Sequence, residues 1–231
     1  MRGIEEHPTP IALVHGFASS SDHTWRKNGW FDILGDLGRP LVPVDLLGHG
    51  TAPRPTDPAA YAEVDESVHR SLPEGPLDAV GFSAGAGVLL HLAVDHPGRF
   101  GHLALLGLGD NVFGGAEPML TADALEGRTG PEDVQGALFR RLAESAGNDP
   151  EALVAFLHRP ARPLTETELA TVTCPVLVVL GDRDFIGRAD RLMAALPRAE
   201  LVSLRGVDHF ATASDFGAID AVMRFLEKPW G

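Results

Sequence analysis

The stretch LDAVGFSAGAGVLLHLA, residues 77–93, joins an apolar run to a helical pattern through the turn GFSAG, residues 81–85. The run before the turn is typical of a buried strand, and the spacing of apolar residues after it predicts a helix. A sharp strand-to-helix turn lifts its central serine above the edge of a sheet, and Gly81 and Gly85 remove the clashes of such a turn. The stretch therefore makes Ser83 a candidate nucleophile.

Apolar runs like the one before Ser83 recur along the chain, and each is continuous rather than alternating. Continuous runs are typical of strands covered on both faces of a parallel sheet. The candidate strands are residues 11–17, 40–50, 77–82, 102–108, 175–181 and 199–204. Helical patterns separate them at residues 24–37, 58–71, 85–95, 188–196 and 215–227. This alternation predicts an α/β fold with a mostly parallel sheet of about six strands flanked by helices.

About 60 residues without a convincing strand separate the fourth apolar run from the fifth. Residues 131–147 and 148–160 show amphipathic helical patterns, and Asn148 suits the N-cap of the second helix. A crossover between parallel strands needs only about a dozen residues, so this segment is predicted to be a helical cap inserted over the sheet. The predicted domains are a core of residues 1–109 and 171–231 and a cap of residues 110–170.

The composition restricts the class of protein. The formal net charge is −13 with only 19 lysines and arginines, which argues against binding to nucleic acid or to acidic membranes. The single cysteine, Cys174, excludes an internal disulfide and a cysteine-rich metal site. The N-terminal stretch lacks an apolar signal core, and no run approaches the roughly 18 apolar residues of a membrane span. We therefore expect a cytoplasmic enzyme or binding protein.

A nucleophilic serine needs a base, a group that orients the base, and donors for the oxyanion. Partners for Ser83 are expected at the carboxyl ends of the other parallel strands, because that edge of an open α/β sheet holds its sites. Asp182 and Asp184 follow one strand, and His209 follows the last. The chain order serine, aspartate, histidine is one of the known orders of a catalytic triad.

Backbone groups near Ser83 are candidates for an oxyanion hole. The first strand ends in HGF, residues 15–17, where the N–H of Phe17 could face the oxyanion, and Ala84 offers a second N–H. His15 is interpreted as a residue that shapes this loop. His91, His96 and His102 are expected in surface or capping positions, and no metal site is predicted.

Five motifs resemble the α/β-hydrolase superfamily, in particular its small capped serine esterases. They are HGF, DLLGHG, GFSAG, CPVLVVLGDRD and GVDHF, and they appear in the order of that family from residue 11 to the C-terminus. The resemblance implies that Ser83 is the nucleophile and His209 the base. It also implies that Phe17 and Ala84 supply the oxyanion donors.

The resemblance also implies which aspartate is the triad acid and whether a hairpin opens the sheet. The family acid commonly lies three residues after the glycine that closes its strand, which selects Asp184 over Asp182. Some relatives take the acid from the strand after the nucleophile helix, so Asp110 is a further alternative. Only ten residues precede the first strand, so the antiparallel hairpin that usually opens the family fold is expected to be reduced or missing.

The expected activity is hydrolysis of a small to medium carboxylic ester or thioester through an acyl-serine intermediate. Carbon–carbon bond hydrolysis and cofactor-free perhydrolysis use the same triad and are the alternatives, and a non-catalytic binding protein on a hydrolase fold is a third. The expected partner is a small-molecule ester or thioester, with no cofactor.

Cap residues are candidates for substrate contacts. Apolar cap side chains could line an acyl pocket or dock the cap onto the core: Leu138, Phe139, Leu142, Leu153, Phe156 and Leu157. Cap arginines could receive a substrate carboxylate or phosphate, or pair with acids such as Glu144 and Glu151: Arg140, Arg141, Arg159 and Arg162.

Overall fold

The computed structural model describes residues 8–114, 118–130, 132–160 and 162–230. These residues form one six-stranded sheet in the order β2-β1-β3-β4-β5-β6. The strands are β1 (Ile11–Val14), β2 (Leu41–Val44), β3 (Leu77–Phe82), β4 (Phe100–Leu106), β5 (Val176–Gly181) and β6 (Ala199–Leu204). All five pairings are parallel, as the continuous apolar runs predicted.

The described part of the chain contains no antiparallel strand before β1. Residues 1–7 lie outside the described residues. The prediction that no signal core is present rests on them, and so does part of the prediction about the hairpin.

Helices cover both faces of the sheet. They are α1 (Trp30–Gly35), α2 (Val64–Ser71), α3 (Ala84–Asp95), α4 (Pro118–Leu125), α5 (Val134–Ser145), α6 (Pro150–Leu157), α7 (Glu166–Leu169), α8 (Asp190–Ala195), α9 (His209–Thr212) and α10 (Phe216–Leu226). The helices α1 and α10 pack on one face, and α2, α3 and α8 contribute to the core on the other. No helix in the described ranges combines the length and the apolar character needed to cross a membrane.

The second predicted strand is shorter than its apolar run because only Leu41–Val44 pairs with β1. Pro43 lies within it, opposite Leu13. Proline has no backbone N–H to donate, so it is tolerated here because β2 is an edge strand with a single neighbour.

In the segment between β4 and β5, the described residues form α4, α5, α6 and α7 in sequence, joined by turns and irregular loops and without a strand. The predicted N-cap of α6 was wrong. Asp149 caps the helix by accepting a hydrogen bond from the N–H of Glu151 at 3.0 Å, and Asn148 lies one residue earlier. The reason is Pro150, which favours the first helical position and so leaves the cap to the residue before it.

A buried ion pair lies at the opposite end of β3 from Ser83. The carboxylate of Asp78 is fully buried and accepts hydrogen bonds from Arg39 at 2.6 Å and from the indole of Trp230 at 2.9 Å. It also accepts one from the backbone N–H of His102 at 2.7 Å. His102 was expected near the surface but is fully buried beside this carboxylate, because it lies inside β4.

Candidate active site

Ser83 occupies a strained turn between β3 and α3. Its backbone angles are φ 52° and ψ −114°, a region that residues with a side chain rarely adopt. Its N–H donates to the carbonyl oxygen of Leu106 at 2.8 Å, which ties the turn to β4. A Cβ at Gly85 would collide with the backbone of Val14 and His15, so glycine there allows α3 to start against the end of β1.

A hydrogen-bond chain connects Ser83 to two residues from distant loops. The Ser83 hydroxyl donates to Nε2 of His209 at 2.9 Å. Nδ1–H of His209 donates to the carboxylate of Asp184, with distances of 2.9 and 3.0 Å to its two oxygens. The carboxylate also accepts the N–H of Ile186 at 2.9 Å. His209 and Asp184 are buried, whereas Ser83 is partly exposed, so the chain of bonds ends at a solvent-accessible hydroxyl.

The other two candidate acids bind backbone groups elsewhere. Asp182 accepts the N–H of Gly206 at 2.7 Å in the turn after β6. Asp110 accepts the N–H of Leu192 at 2.9 Å within α8. Of the three aspartates, the structure brings Asp184 to the imidazole of His209.

The two candidate oxyanion donors lie beside Ser83 on different segments. Ala84 is the first residue of α3, where the helix dipole adds a partial positive charge. Phe17 follows Gly16, and a Cβ built on Gly16 would lie 3.3 Å from Cβ of Ser83. Among the described residues, neither the N–H of Phe17 nor that of Ala84 has a hydrogen-bond acceptor.

His15 holds the loop that carries Phe17. Its Nδ1–H donates to the carbonyl oxygen of Gly16 at 2.8 Å, and its Nε2 accepts the N–H of Leu46 at 3.1 Å. The ring is fully buried, and this burial lowers the pKa of His15. A neutral imidazole satisfies both bonds, so an uncharged His15 connects the end of β1 to the loop that follows β2.

Asn148 binds the same loop from the helical segment. Its amide NH2 donates to the carbonyl oxygens of Ala18 and Ser19 at 2.9 and 2.8 Å. Its amide oxygen accepts the N–H of Gly50 at 2.8 Å. Ala18 has a positive φ of 61°, which is uncommon for a residue with a side chain. Sequence reasoning missed this role, because an asparagine before an Asp-Pro pair carries no signal other than helix capping.

Aromatic rings form a wall around His209. Phe185 lies 4.4 Å from the imidazole between ring centroids, and Phe210 lies 5.9 Å from it. Phe139, from α5, contacts Phe210 at 5.0 Å and Phe17 at 5.7 Å. The helical segment therefore contributes an apolar side chain that bridges the loop of Phe17 and the loop of His209.

The predicted apolar cap residues divide between the core and the surface. Phe139, Leu153 and Phe156 are buried, whereas Leu138 is exposed. Phe156 stacks on Phe17 at 5.7 Å, so part of this set docks the segment onto the core.

Two of the candidate cap arginines have described partners. Arg162 pairs with the acids Asp95 and Glu168, which agrees with the alternative of pairing although these are not the two acids named from the sequence. Arg159 stacks over the ring of Phe156 at 3.9 Å.

A possible metal-ligand group lies away from Ser83. In the part of the chain that the structure describes, one group of three side chains could share a metal ion, namely Glu66, His69 and His96. His96 is the C-cap of α3, at the opposite end of that helix from Ser83.

Comparison with known proteins agrees with this architecture. The model of the family described as "Alpha/beta hydrolase family" matches residues 11–219. A pimeloyl-[acyl-carrier protein] methyl ester esterase of Neisseria meningitidis is 28% identical over 94% of this chain and 92% of its own. An alpha/beta hydrolase from a Medee basin deep-sea metagenome library superposes with a TM-score of 0.76 at 14% identity, over 98% of this chain and 92% of that one. A hydrolase from Pseudomonas aeruginosa superposes with a TM-score of 0.72 at 21% identity, over 96% and 91% of the two chains.

Proposed function

The chain belongs to the alpha/beta hydrolase family, and from this premise we propose that it is a serine hydrolase of small to medium carboxylic esters or thioesters. The observation that carries the proposal is the continuous hydrogen-bond chain from Ser83 through His209 to Asp184. A serine hydroxyl is a weak nucleophile at neutral pH, and a hydrogen-bonded imidazole oriented by a carboxylate is the group that activates it.

In the acylation step, Oγ of Ser83 attacks the carbonyl carbon of the substrate while its proton passes to Nε2 of His209. Asp184 keeps Nδ1 protonated and stabilises the imidazolium that forms. The carbonyl oxygen becomes an oxyanion, which the N–H groups of Phe17 and Ala84 stabilise. Collapse of the tetrahedral intermediate breaks the bond to the leaving group, which takes the proton from His209 and leaves an acyl-Ser83.

In the deacylation step, a water molecule attacks the acyl carbon and gives its proton to Nε2 of His209. Collapse of the second tetrahedral intermediate returns this proton to Oγ of Ser83 and releases the carboxylic acid. The two steps consume one water and restore the starting hydrogen-bond chain. No further reactant is needed.

Support for an ester as the scissile group comes from the Neisseria relative, which is named as a methyl ester esterase and aligns along 94% of this chain. Support for an apolar acyl group comes from the rings of Phe139, Phe185 and Phe210 around the imidazole. Residues 110–170 act as a cap in this proposal, because Phe139 and Asn148 both bring that segment against the loop of Phe17.

A fluorophosphonate probe and a chain-length series of p-nitrophenyl esters test the proposal. We expect the probe to label the wild type and not Ser83→Ala, and we expect the same variant to lose ester turnover. Ser71→Ala is the matched control, because Ser71 is an exposed serine at the end of α2. Equal labelling of wild type and Ser83→Ala would exclude Ser83 as the nucleophile. Turnover of acyl-CoA in the same series would place a thioester within the proposed substrate class, whereas turnover of a vinylogous diketone in place of esters and thioesters would replace that class.

A further inference from the structure

Two histidines and one glutamate converge between α2 and the end of α3, well away from the hydrolase site. Glu66 and His69 are three residues apart on α2, so they lie on one face of that helix. His96 reaches the same place from the C-cap of α3. The length of α3 puts this cluster about 18 Å from Ser83 along the helix axis.

Both imidazoles approach the same carboxylate. Nε2 of His96 lies 2.7 Å from one oxygen of Glu66, and Nδ1 of His69 lies 3.5 Å from the other. The two rings stack with their centroids 3.8 Å apart. A carboxyl group is ionised at neutral pH, so Glu66 offers an anionic ligand.

The spacing of the three ligating atoms suits a single small cation. They lie within 4.8 Å of one another, and tetrahedral bonds of 2.0–2.2 Å to zinc require ligand separations of about 3.3–3.6 Å. The side chains are 27% to 41% exposed, so ring rotations can close the remaining gap and an ion can reach them from solvent.

The donor set selects the class of metal. Two imidazole nitrogens and one carboxylate oxygen suit zinc and its neighbours, whereas magnesium and calcium prefer all-oxygen sites. Three protein ligands leave a coordination position for water, and the cleft that His69 and His96 line gives it room. We propose that Glu66, His69 and His96 form a binding site for a zinc-class dication that links α2 to the carboxyl end of α3.

The same two helices supply a matched control. Nδ1 of His91, also on α3, lies 2.8 Å from the carboxylate of Asp65, also on α2. This pair has the chemistry of the proposed site but belongs to no three-ligand group among the described residues. A variant at His91 therefore removes a histidine–carboxylate contact between these helices without removing a proposed ligand.

The experiment is calorimetric titration of the tag-free chain with zinc chloride, with magnesium chloride as a second probe. We expect saturable binding of one Zn²⁺ per chain and no comparable binding of Mg²⁺. His69→Ala and His96→Ala are expected to weaken Zn²⁺ binding at least about tenfold, whereas His91→Ala is expected to leave it unchanged. The absence of saturable zinc binding would overturn the proposal, and so would equal weakening by all three variants.

Thermal unfolding gives an independent measurement. Because a bound ion stabilises only the folded state, zinc should raise the Tm of the wild type and of His91→Ala but not that of His69→Ala. The Tm of each variant without zinc shows whether it is folded, since all three side chains are partly exposed. An equal zinc-dependent shift in His69→Ala would contradict the proposed ligand set.

Discussion

At the scale of single residues, the backbone of Ser83 combines strain with exposure. Its positive φ of 52° holds the hydroxyl above the sheet edge, within 2.9 Å of the His209 ring. Conformations of this kind cost on the order of 1–3 kcal/mol and persist only when the surrounding structure enforces them. Here β4 fixes the turn through the bond from Ser83 N–H to Leu106. The backbone at Ser83 is therefore strained, and glycine, which has no Cβ, would relieve that strain.

A comparison of Ser83→Gly with Ser83→Ala isolates this strain. Both variants lack the hydroxyl and should lose ester turnover, but only glycine adopts the native backbone angles without penalty. We expect the free energy of unfolding of Ser83→Gly to exceed that of Ser83→Ala by about 1 kcal/mol, after the greater freedom of glycine in the unfolded chain is subtracted. Urea denaturation measures the difference. A glycine variant less stable than the alanine variant would show that the turn is unstrained.

The three candidate acids differ in what their carboxylates contact. Asp184 holds the His209 imidazole, while Asp182 and Asp110 bind backbone N–H groups. We expect Asp184→Asn to lower kcat by about 10⁴-fold, because an amide no longer stabilises the imidazolium or the correct tautomer. Asp182→Asn and Asp110→Asn should change kcat far less. Steady-state kinetics of the three variants on one ester measures these changes. A comparable loss of kcat in Asp182→Asn or Asp110→Asn would assign the role of triad acid to that aspartate instead.

Activity should fall on acidification, because protonated His209 can no longer accept the proton of Ser83. A pH profile of kcat/KM for the wild type measures this. The loss should be reversible on return to neutral pH. Activity that stays constant down to the pH of unfolding would remove His209 from the role of base.

At the scale of elements, Asn148 hydrogen-bonds the segment between β4 and β5 to the loop that follows Phe17. Asn148 donates to two consecutive carbonyls, those of Ala18 and Ser19, directly after Phe17. It also accepts from Gly50 after β2, so it connects the helical segment to two loops of the sheet. The orientation of the Phe17 N–H therefore depends on a residue about 130 positions away.

Asn148→Ala should loosen the loop of Phe17. Removing a buried partner leaves the two carbonyls unsatisfied, at a cost of about 1–3 kcal/mol in the free energy of unfolding. We expect kcat to fall at least about tenfold with a smaller change in KM, because an oxyanion donor acts on the transition state rather than on the bound substrate. Kinetics and urea denaturation of the same preparation measure both effects.

Asn28→Ala is the control for this experiment. Asn28 also donates its amide to a backbone carbonyl, that of Thr24 at 2.9 Å, whereas Asn148 donates to Ala18 and Ser19. A variant at Asn28 should therefore lose some stability with kcat unchanged. Equal losses of kcat in the two variants would show that Asn148 acts through stability alone.

At the scale of the whole molecule, buried histidines link stability to pH. His49 is fully buried among Phe17, Phe156 and His15, and its burial lowers its pKa from 6.5 to about 3. Between these values the unfolded chain binds a proton at this residue and the folded chain does not. The free energy of unfolding therefore falls as the pH decreases from about 6.5 towards about 3.

His49→Phe tests this linkage because it removes the titrating group and keeps an aromatic ring. A pH of 5.5 is one pH unit below the pKa of His49 in the unfolded chain. Between pH 7.5 and pH 5.5, His49 alone should lower the free energy of unfolding of the wild type by about 1.4 kcal/mol. We expect the difference in unfolding free energy between these two pH values to be smaller by about that amount in His49→Phe. His158→Phe, at an exposed histidine, is the control and should retain the wild-type difference. Equal pH dependence in all three proteins would mean that His49 does not contribute.

The sequence determined the fold and the order of its parts, because these follow from local patterns. Continuous apolar runs predicted a parallel sheet of about six strands, and six parallel strands are found. The alternation of strands and helices and the five motifs indicated the family, whose model matches residues 11–219. Pro43 interrupts the second apolar run, but a proline is compatible with a strand there because β2 is an edge strand.

The tertiary structure decided which distant side chains meet. Spacing alone left Asp182, Asp184 and Asp110 open, and the loops after β5 and β6 brought Asp184 to His209. Local reasoning gave Asn148 a helix-capping role, whereas its partners lie in loops more than ninety residues earlier. His96 has no sequence neighbour that suggests a metal site, and it meets Glu66 and His69 only because α2 packs on α3. The periodicity of a helix or strand is set by its own backbone, but contacts across the sheet depend on strand order and loop paths, which no local pattern encodes.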